Sequence, residues 1–472
     1  HDHGEGGFDV VIANPPYVGH KGGSKLLFKE LKNTPLGKRF NNERMDLFYY
    51  FFHLALDITI AGGKVAFITT NYYITADSAV KLRRDFKERA NIKKLVNFNE
   101  LKIFDSAQGQ HNILTFLSKK VNDTDNSSYI ISTNRTGVAT PDLLNAILND
   151  KDEKTIYAQK KQAELYEGQN DYIRIPYATS NEDKAIQDLL TGVRQSSVPL
   201  DNLCNISQGI VTGLDRVSVK HIRRMPSLSG KKGAGVYVLN AKEKEEVGDS
   251  PLIKPWFKNS DIFRYKVAER NKQWVIHVSV DTNLDKYPNI KKHLTKYRNA
   301  IESRNYDSGE LSKARRLNAW WALSSSRRDF DFGQPKIISP QRSNENTFAY
   351  TEKEQLASAD VYFITQKDIE IDLKYALALL NSRLYFLWLY HKGKRKGRML
   401  ELYLTPLSEI PIKRVTKIEQ KPFIVIVDKI LAITRDSDYL ESSTKQAKVR
   451  DYEKQIDQLV YKLYGLTPEE IK

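Results

Sequence analysis

Asn14-Pro15-Pro16-Tyr17 follows directly on Phe8-Asp9-Val10-Val11-Ile12-Ala13, a mostly apolar run that ends in two prolines. The run predicts a strand covered on both faces, as in a parallel sheet. The prolines stop its ladder, because neither has an N–H to donate and each holds φ at about −65°. The corner therefore belongs at the carboxyl end of a strand, the edge of an open α/β sheet where ligands bind. An exocyclic amine on an aromatic base is a poor nucleophile, since its lone pair is delocalised into the ring. If the Asn14 side-chain oxygen and a neighbouring main-chain carbonyl, naturally that of Pro15, accept its two hydrogens, the nitrogen is drawn toward tetrahedral geometry. The lone pair is then free to attack a methyl group. Tyr17 would supply a flat face for an extruded base, worth roughly 1–3 kcal/mol against the few kcal/mol that extrusion costs. The plainer reading of the same residues is a strand and a Pro-Pro turn.

The elements that must position this corner come next in the chain. Residues 18–40, rich in Gly and Lys, predict a mobile loop that closes over DNA or an ordinary solvated loop. Residues 44–57 are apolar around most of a helical circumference, which predicts a buried helix. Ala61-Gly62-Gly63 breaks it, and residues 64–71 read as a second buried strand ending at Asn71 and Tyr72 on the same sheet edge as Asn14. A helix with Leu82, Arg83, Arg84 and Phe86 follows, then strands over 95–98, 101–104 and 111–117. His111 is left as loop: the amine loses its proton only after methylation has made it strongly acidic, so no strong base is required.

Phe8 to Tyr17 resembles the catalytic motif of the gamma-class amino-methyltransferases that make N6-methyladenine in DNA, the group typified by the TaqI enzyme. The resemblance implies S-adenosylmethionine as cofactor, a flipped adenine as substrate, and catalytic roles for Asn14, Pro15 and Tyr17. It implies cofactor contacts from Asn14, Pro16, Asp46 and Leu47, since an Asp-Leu pair in this family packs near the methionine end of the cofactor. Phe104, just after a strand in an Ile-Phe context, matches the residue that faces the catalytic tyrosine across the base; its alternative is core filler. The motif is shared with methyltransferases acting on glutamine or on guanine in RNA, so alone it does not choose the substrate. The family's Gly-rich turn and acidic cofactor contact should lie upstream of the corner, and thirteen residues precede Asn14. The expectation is a chain cut inside its catalytic domain, which binds cofactor poorly or needs the missing N-terminal half or a separate subunit.

Composition agrees with a polyanionic partner. The 472 residues suffice for two or three domains, and 74 Lys plus Arg against 58 Asp plus Glu give a net charge of +16. One cysteine, Cys204, excludes an internal disulfide framework and a cysteine-based metal site, and points to a reducing cytoplasm. No apolar run approaches the length needed to span a bilayer. The opening His1-Asp2-His3 reads as a polar loop rather than a metal site, so no metal is expected.

Residues 1–121 thus read as the C-terminal half of a methyltransferase domain and 122–197 as a polar connector with a short helix at 142–148. Pro141-Asp142 and Asp152-Glu153-Lys154 match the letters of a nuclease site, but in helical, polar surroundings, and read as chance. Residues 198–415 resemble a TaqI-like target-recognition domain, entered through Gln208-Gly209 and Thr212-Gly213, with strands over 274–277 and 361–364, a helix over 375–390 and a helical tail over 416–472. The fold expected is α/β: the C-terminal part of a Rossmann-like methyltransferase sheet, then a mixed α+β DNA target-recognition domain. Lys392, Lys394, Arg395, Lys396 and Arg398 place five charges in seven residues between glycines, suited to phosphates of double-stranded DNA. Gln208, Thr212, Arg315, Arg316, Arg327 and Arg328 are further DNA-binding candidates, some suited to base edges; a solvated charged face is the alternative for each. The intact protein implied is a site-specific adenine methyltransferase of a restriction-modification or phage-defence system.

Overall fold

The computed structural model describes residues 6–19, 24–104, 111–121, 127–176, 180–228, 230–268, 273–304 and 309–471. Two compact units make up the chain: the described residues up to Leu190 with Arg395–Gly397, and Thr191–Lys394 with Arg398–Lys472. His1 and His3 lie outside the described residues.

The first unit is built on β1 (Phe8–Ala13), α1 (Lys25–Asn33), α2 (Pro35–Phe40), α3 (Leu47–Ile58), β2 (Thr59–Thr70), α4 (Val80–Arg89) and β3 (Ala90–Asn97). It continues through β4 (Leu101–Lys102), β5 (Asn112–Lys119), β6 (Ser127–Thr133), β7 (Gly137–Val138), α5 (Pro141–Leu148) and β8 (Thr155–Lys161). Its six-stranded sheet runs β1-β2-β5-β3-β6-β8. β1 and β2 are parallel, β5 enters antiparallel between β2 and β3, β6 is parallel to β3, and β8 is antiparallel to β6. The carboxyl ends of β1, β2 and β3 therefore share one edge with the start of β5.

α3 explains the stability of this edge. It has no β-branched residue before its last turn, and it ends where Thr59 turns extended. Phe48, Phe52 and Leu56 are fully buried with Phe67, Tyr73 and Phe86, and Phe52 lies 4.7 Å from Phe67 between ring centroids. Each such ring buried contributes roughly 1.5–3 kcal/mol, so α3 clamps the sheet from one side.

Four expectations are corrected. β1 forms, but it is not covered on both faces: Val10 is 53% and Ile12 75% exposed, because β1 is the end strand of the described sheet. Residues 18–40 hold two helices, and Thr34-Pro35 is the signal that the Gly and Lys content hid: Thr34 accepts the Gly37 N–H at 3.0 Å and Pro35 occupies the first turn of α2. The supposed connector supplies β6 and β8 to the main sheet; Ile130 and Ile131 are apolar anchors within a hydroxyl-rich strand. The helix over 375–390 is two helices, Leu373–Leu380 and Arg383–His391. Asn381 breaks it, because its side chain exchanges hydrogen bonds with the Phe348 backbone at 2.9 and 3.0 Å.

The second unit contains an antiparallel sheet in the order Cys204–Gln208, Val361–Gln366, Lys336–Pro340, Ala349–Thr351. A second four-stranded sheet joins Val238–Leu239, Gln273–Ile276, Ile253–Phe257 and Leu356–Ala357. Trp256, Val275, Ile276, Ile338 and Phe363 lie in one core between them. Lys417–Thr434 and Ser443–Tyr464 are the expected helical tail.

Candidate active site

The prolines end β1 as the sequence requires, and Asn14 stands exposed at its carboxyl end while Pro15 is buried beneath. The chain then tightens, with the Val18 N–H donating to the Pro16 carbonyl at 3.2 Å. This turn brings the Tyr17 hydroxyl back to Oδ1 of Asn14 at 2.9 Å. The same hydroxyl reaches the Ile68 carbonyl on β2 at 3.1 Å. The Tyr17 ring rests edge-on against Phe48 of α3, 6.3 Å between centroids. Burial holds the Tyr17 phenol above its ordinary pKa, and the amide of Asn112 at the start of β5 works against that rise. The phenol is therefore protonated and neutral at neutral pH.

Asp46 and Leu47 are joined to the corner by backbone. Gly19 and Asp46 form an antiparallel bridge, and the Leu47 N–H donates to the Val18 carbonyl at 2.9 Å. A β carbon on Gly19 would lie 3.0 Å from Oδ1 of Asp46. Asp46 and Leu47 are both half-buried, a carboxylate and an apolar side chain beside the exposed Asn14.

Three asparagines line the same edge: Asn71, which the sequence predicts there, and Asn97 and Asn112, which the sequence reading passed over. Asn71 at the end of β2 donates to Asn97 at the end of β3 at 3.0 Å, and Asn97 donates to Asn99 at 2.7 Å. Asn112 pairs with Thr70 across the β2–β5 ladder. Their signal was a polar amide at the end of each apolar strand. His111, close by, takes the Asn99 carbonyl on Nδ1 at 2.7 Å, in keeping with a structural role. Phe104 lies half-buried beyond β4, and among the described residues it makes no ring contact with Tyr17.

In the second unit the DNA-binding candidates separate by environment. Gln208 ends its strand with Nε2 donating to the Ala359 carbonyl at 2.6 Å. Arg327, at a left-handed φ of 53°, donates to the Gly209 carbonyl at 3.3 Å and to Gln208 Oε1 at 3.4 Å. Thr212 is turned inward instead: it is buried, with its hydroxyl donating to Asp215 and its carbonyl accepting from Arg304 at 2.9 Å. Arg304, overlooked in the sequence, also donates to the Ala322 carbonyl at 2.8 Å and so gathers two loops. Arg315 and Arg316 end an amphipathic helix, exposed. Arg328 is exposed and paired with Asp281. Lys394 lies 5.1 Å over the Tyr403 ring, Lys392 caps the helix Arg383–His391, and Arg398 is exposed; Arg395 and Lys396, which belong to the first unit, form a two-residue strand.

A parallel-edged sheet carrying an Asn-Pro-Pro-Tyr corner, followed by a separate mixed domain, is similar to a restriction-modification methylase segment joined to a specificity domain. Residues 1–104 match the Eco57I restriction-modification methylase family, and residues 254–412 match the TaqI-like C-terminal specificity domain. Among curated relatives, the Type II methyltransferase M.HindII of Haemophilus influenzae is 24% identical over 86% of this chain and 75% of its own length. M.HincII of Haemophilus influenzae is 23% identical over 86% of this chain and 74% of its own. The fold is shared with the Type IIL restriction-modification enzyme MmeI, solved in complex with DNA, at a TM-score of 0.63 and 14% identity; the likeness covers 97% of this chain and 54% of that one. The chain thus spans about three quarters of the curated relatives and about half of that structure.

Proposed function

We propose that this chain transfers a methyl group from S-adenosylmethionine to the exocyclic N6 of an adenine flipped out of double-stranded DNA, as a site-specific, adenine-specific DNA methyltransferase of a restriction-modification system. The single observation that carries the reading is the exposed Asn14 at the proline-stiffened end of β1, with the Tyr17 ring beside it. Asn14 Oδ1 and the Pro15 carbonyl would accept the amine hydrogens and Tyr17 and Phe104 would grip the base, holding its nitrogen toward the methyl group that S-adenosylmethionine would supply. The proton then on nitrogen leaves to solvent.

The residues present fit the cofactor. Asp46 offers a half-buried carboxylate for the ammonium of the methionine moiety, and Pro16 and Leu47 offer apolar contact beside Asn14. When bound, S-adenosylmethionine supplies an electrophilic methyl group. Gln208, Arg327, Arg315, Arg316 and the basic run at 392–398 would hold the duplex. No helix among the described residues is long and apolar enough to cross a membrane, and a cytoplasmic setting goes with this substrate.

A second reading is favoured by β1 itself. Val10 and Ile12, more than half exposed at the end of the sheet, favour activity that depends on a further strand layer supplied by another polypeptide segment or subunit. Tritiated methyl donor, offered with DNA, RNA or protein to the chain alone and to the chain with a cofactor-binding half added, separates these readings. The expected product is labelled N6-methyladenine in DNA, lost in Asn14→Ala with DNA affinity retained. Label in RNA or glutamine, or equal loss of transfer and DNA affinity in Asn14→Ala, would refute the assignment.

A further inference from the structure

Arg395, Lys396 and Gly397 are flanked in sequence by residues of the second unit, yet they pack within the first. Gly397 holds a left-handed φ of 61°. A β carbon on it would overlap Oε1 of Glu100 and lie 3.1 Å from Cε1 of His111. Any other residue would be strained there and pushed off both neighbours, so glycine lets the chain lie directly on His111, the residue before β5. His111 is itself firmly held: its carbonyl accepts the Asn71 N–H at 2.8 Å, and its Nδ1 meets the Asn99 carbonyl at 2.7 Å. Tyr72, next to Asn71, has its ring 6.3 Å from that of His111 between centroids. The seat of Gly397 therefore lies at the end of β2 and the start of β5, the two strands nearest β1 in the sheet, on the edge where Asn14 stands exposed.

What this seat presents is Lys396. Its ammonium lies 5.3 Å over the Tyr72 ring, and among the described residues it meets no carboxylate and no hydrogen-bond acceptor. Its three N–H donors are unspent. A cation over an aromatic face is held more weakly than one hydrogen-bonded to an anion, so an anion arriving at this edge would take the ammonium over. Resting on the methyltransferase reading, we propose that Lys396 binds the DNA backbone phosphate beside the extruded nucleotide, with Gly397 as the seat that brings it to the edge. The ligand is a phosphodiester, recognised by charge and without base information. The target nucleotide then cannot swing back into the duplex without giving up this contact, so the grip offsets part of the cost of extrusion. Lys394 and Arg398, its neighbours in the basic run, belong to the second unit and hold the duplex rather than the extruded nucleotide.

The test pairs Lys396→Ala with DNA in which one phosphate flanking the target adenine is replaced by a neutral methylphosphonate, the target having been mapped by sequencing the methylated product. Tritiated S-adenosylmethionine gives the rate, with the full chain alone or with its cofactor-binding half added, whichever transfers methyl. On ordinary DNA, Lys396→Ala should lower kcat about tenfold, the scale of one charge-assisted hydrogen bond, with cofactor affinity unchanged. For the wild type, neutralising one of the two flanking phosphates should cost about the same factor; in Lys396→Ala that replacement should cost little more. Gly397→Ala, which lifts Lys396 off its seat with the charge intact, should reproduce both the loss and the missing coupling. An equal loss from Lys396→Ala on phosphate and phosphonate DNA at both positions would assign the lysine to packing on Tyr72 and overturn the proposal, as would an unaltered kcat in either variant. No label in DNA from the wild type would refute the methyltransferase reading itself; label in DNA without the coupling would overturn this inference alone.

Discussion

The Leu47 backbone N–H donates to the Val18 carbonyl at 2.9 Å, so the first turn of α3 is stitched to the residue that follows Tyr17. The Gly19–Asp46 bridge beside it fixes a carboxylate at the same place. A charge-assisted hydrogen bond that Asp46 accepts from an ammonium is worth about 1.5–3 kcal/mol. Asp46→Ala should therefore weaken S-adenosylmethionine binding by about ten- to a hundredfold while leaving DNA affinity unchanged, as titration calorimetry with each ligand separately would show. Unaltered cofactor affinity would remove Asp46 from the site.

Arg327 and Gln208 predict a different phenotype. Arg327 stands at a φ few side chains adopt, with its guanidinium aimed along Gly209 and Gln208. A reader of base edges held this firmly should give sequence discrimination and little bulk affinity. Arg327→Ala is expected to relax discrimination by about 1–3 kcal/mol at one base pair, seen by sequencing the methylated positions in a randomised DNA pool. Lys394→Ala and Arg398→Ala should instead lower affinity across all sequences and reduce its salt dependence. An unchanged methylation profile in Arg327→Ala would refute base reading by this residue.

Much of the sheet edge around Asn14 was legible because its signals are local. Two prolines must end a strand and a mostly apolar circumference must bury a helix, whereas Gly62-Gly63, expected to break that helix, lie inside β2, because α3 already ends where Thr59 turns extended. What escaped the sequence depends on distant partners. Ser127–Thr133 looks polar, yet it pairs with β3 on one side and β8 on the other, which satisfies its backbone and buries Ile130 and Ile131. Asn381 stops a helix only because Phe348 is opposite. Asn97 and Asn112 look unremarkable one at a time and join Asn71 in a row only when β5 is placed between β2 and β3. Thr212 drew notice for its Thr-Gly letters, but Asp215 and Arg304 hold it inward.

Cys204 opens its strand fully buried. Burial, and next the charge of Asp368, push its thiol up to about 12, so thiolate is scarce in the native state. A thiol reagent at pH 8 should label the native chain slowly and the denatured chain at once. Because the folded thiol titrates above its ordinary value of 9.0, the folded state holds its proton longer than the unfolded one. Its contribution to stability is complete below about pH 9 and is lost as pH rises from there toward 12. Rapid labelling of native protein would contradict this.

The last prediction concerns the support of α3. His53 Nδ1 meets Asp85 Oδ2 at 2.6 Å in a buried pair, Arg89 grips the same carboxylate at 2.5 and 2.7 Å, and Phe40 stacks on the His53 ring with centroids 3.7 Å apart. Burial by itself would raise the Asp85 pKa, but hydrogen bonds from His53 and Arg89 outweigh it and leave the carboxyl below its ordinary value. Burial lowers the His53 pKa, with Asp85 opposing, so the ring is neutral at pH 7 and donates through Nδ1–H. Both shifts act in one direction. Asp85 stabilises the fold above the ordinary carboxyl value of 3.8 and loses that contribution as pH falls through its lower folded value. His53 resists protonation that the unfolded chain accepts below its ordinary 6.5, so stability declines as pH drops through that value. Asp85→Ala strands a buried imidazole N–H and leaves the Arg89 guanidinium Asp57 as its one carboxylate, and should cost about 3 kcal/mol, measured by urea unfolding at pH 7. Its loss should also flatten the acid limb of stability below pH 4, where the wild-type carboxylate titrates; an acid limb identical to that of the wild type would show that Asp85 does not bear the load on α3.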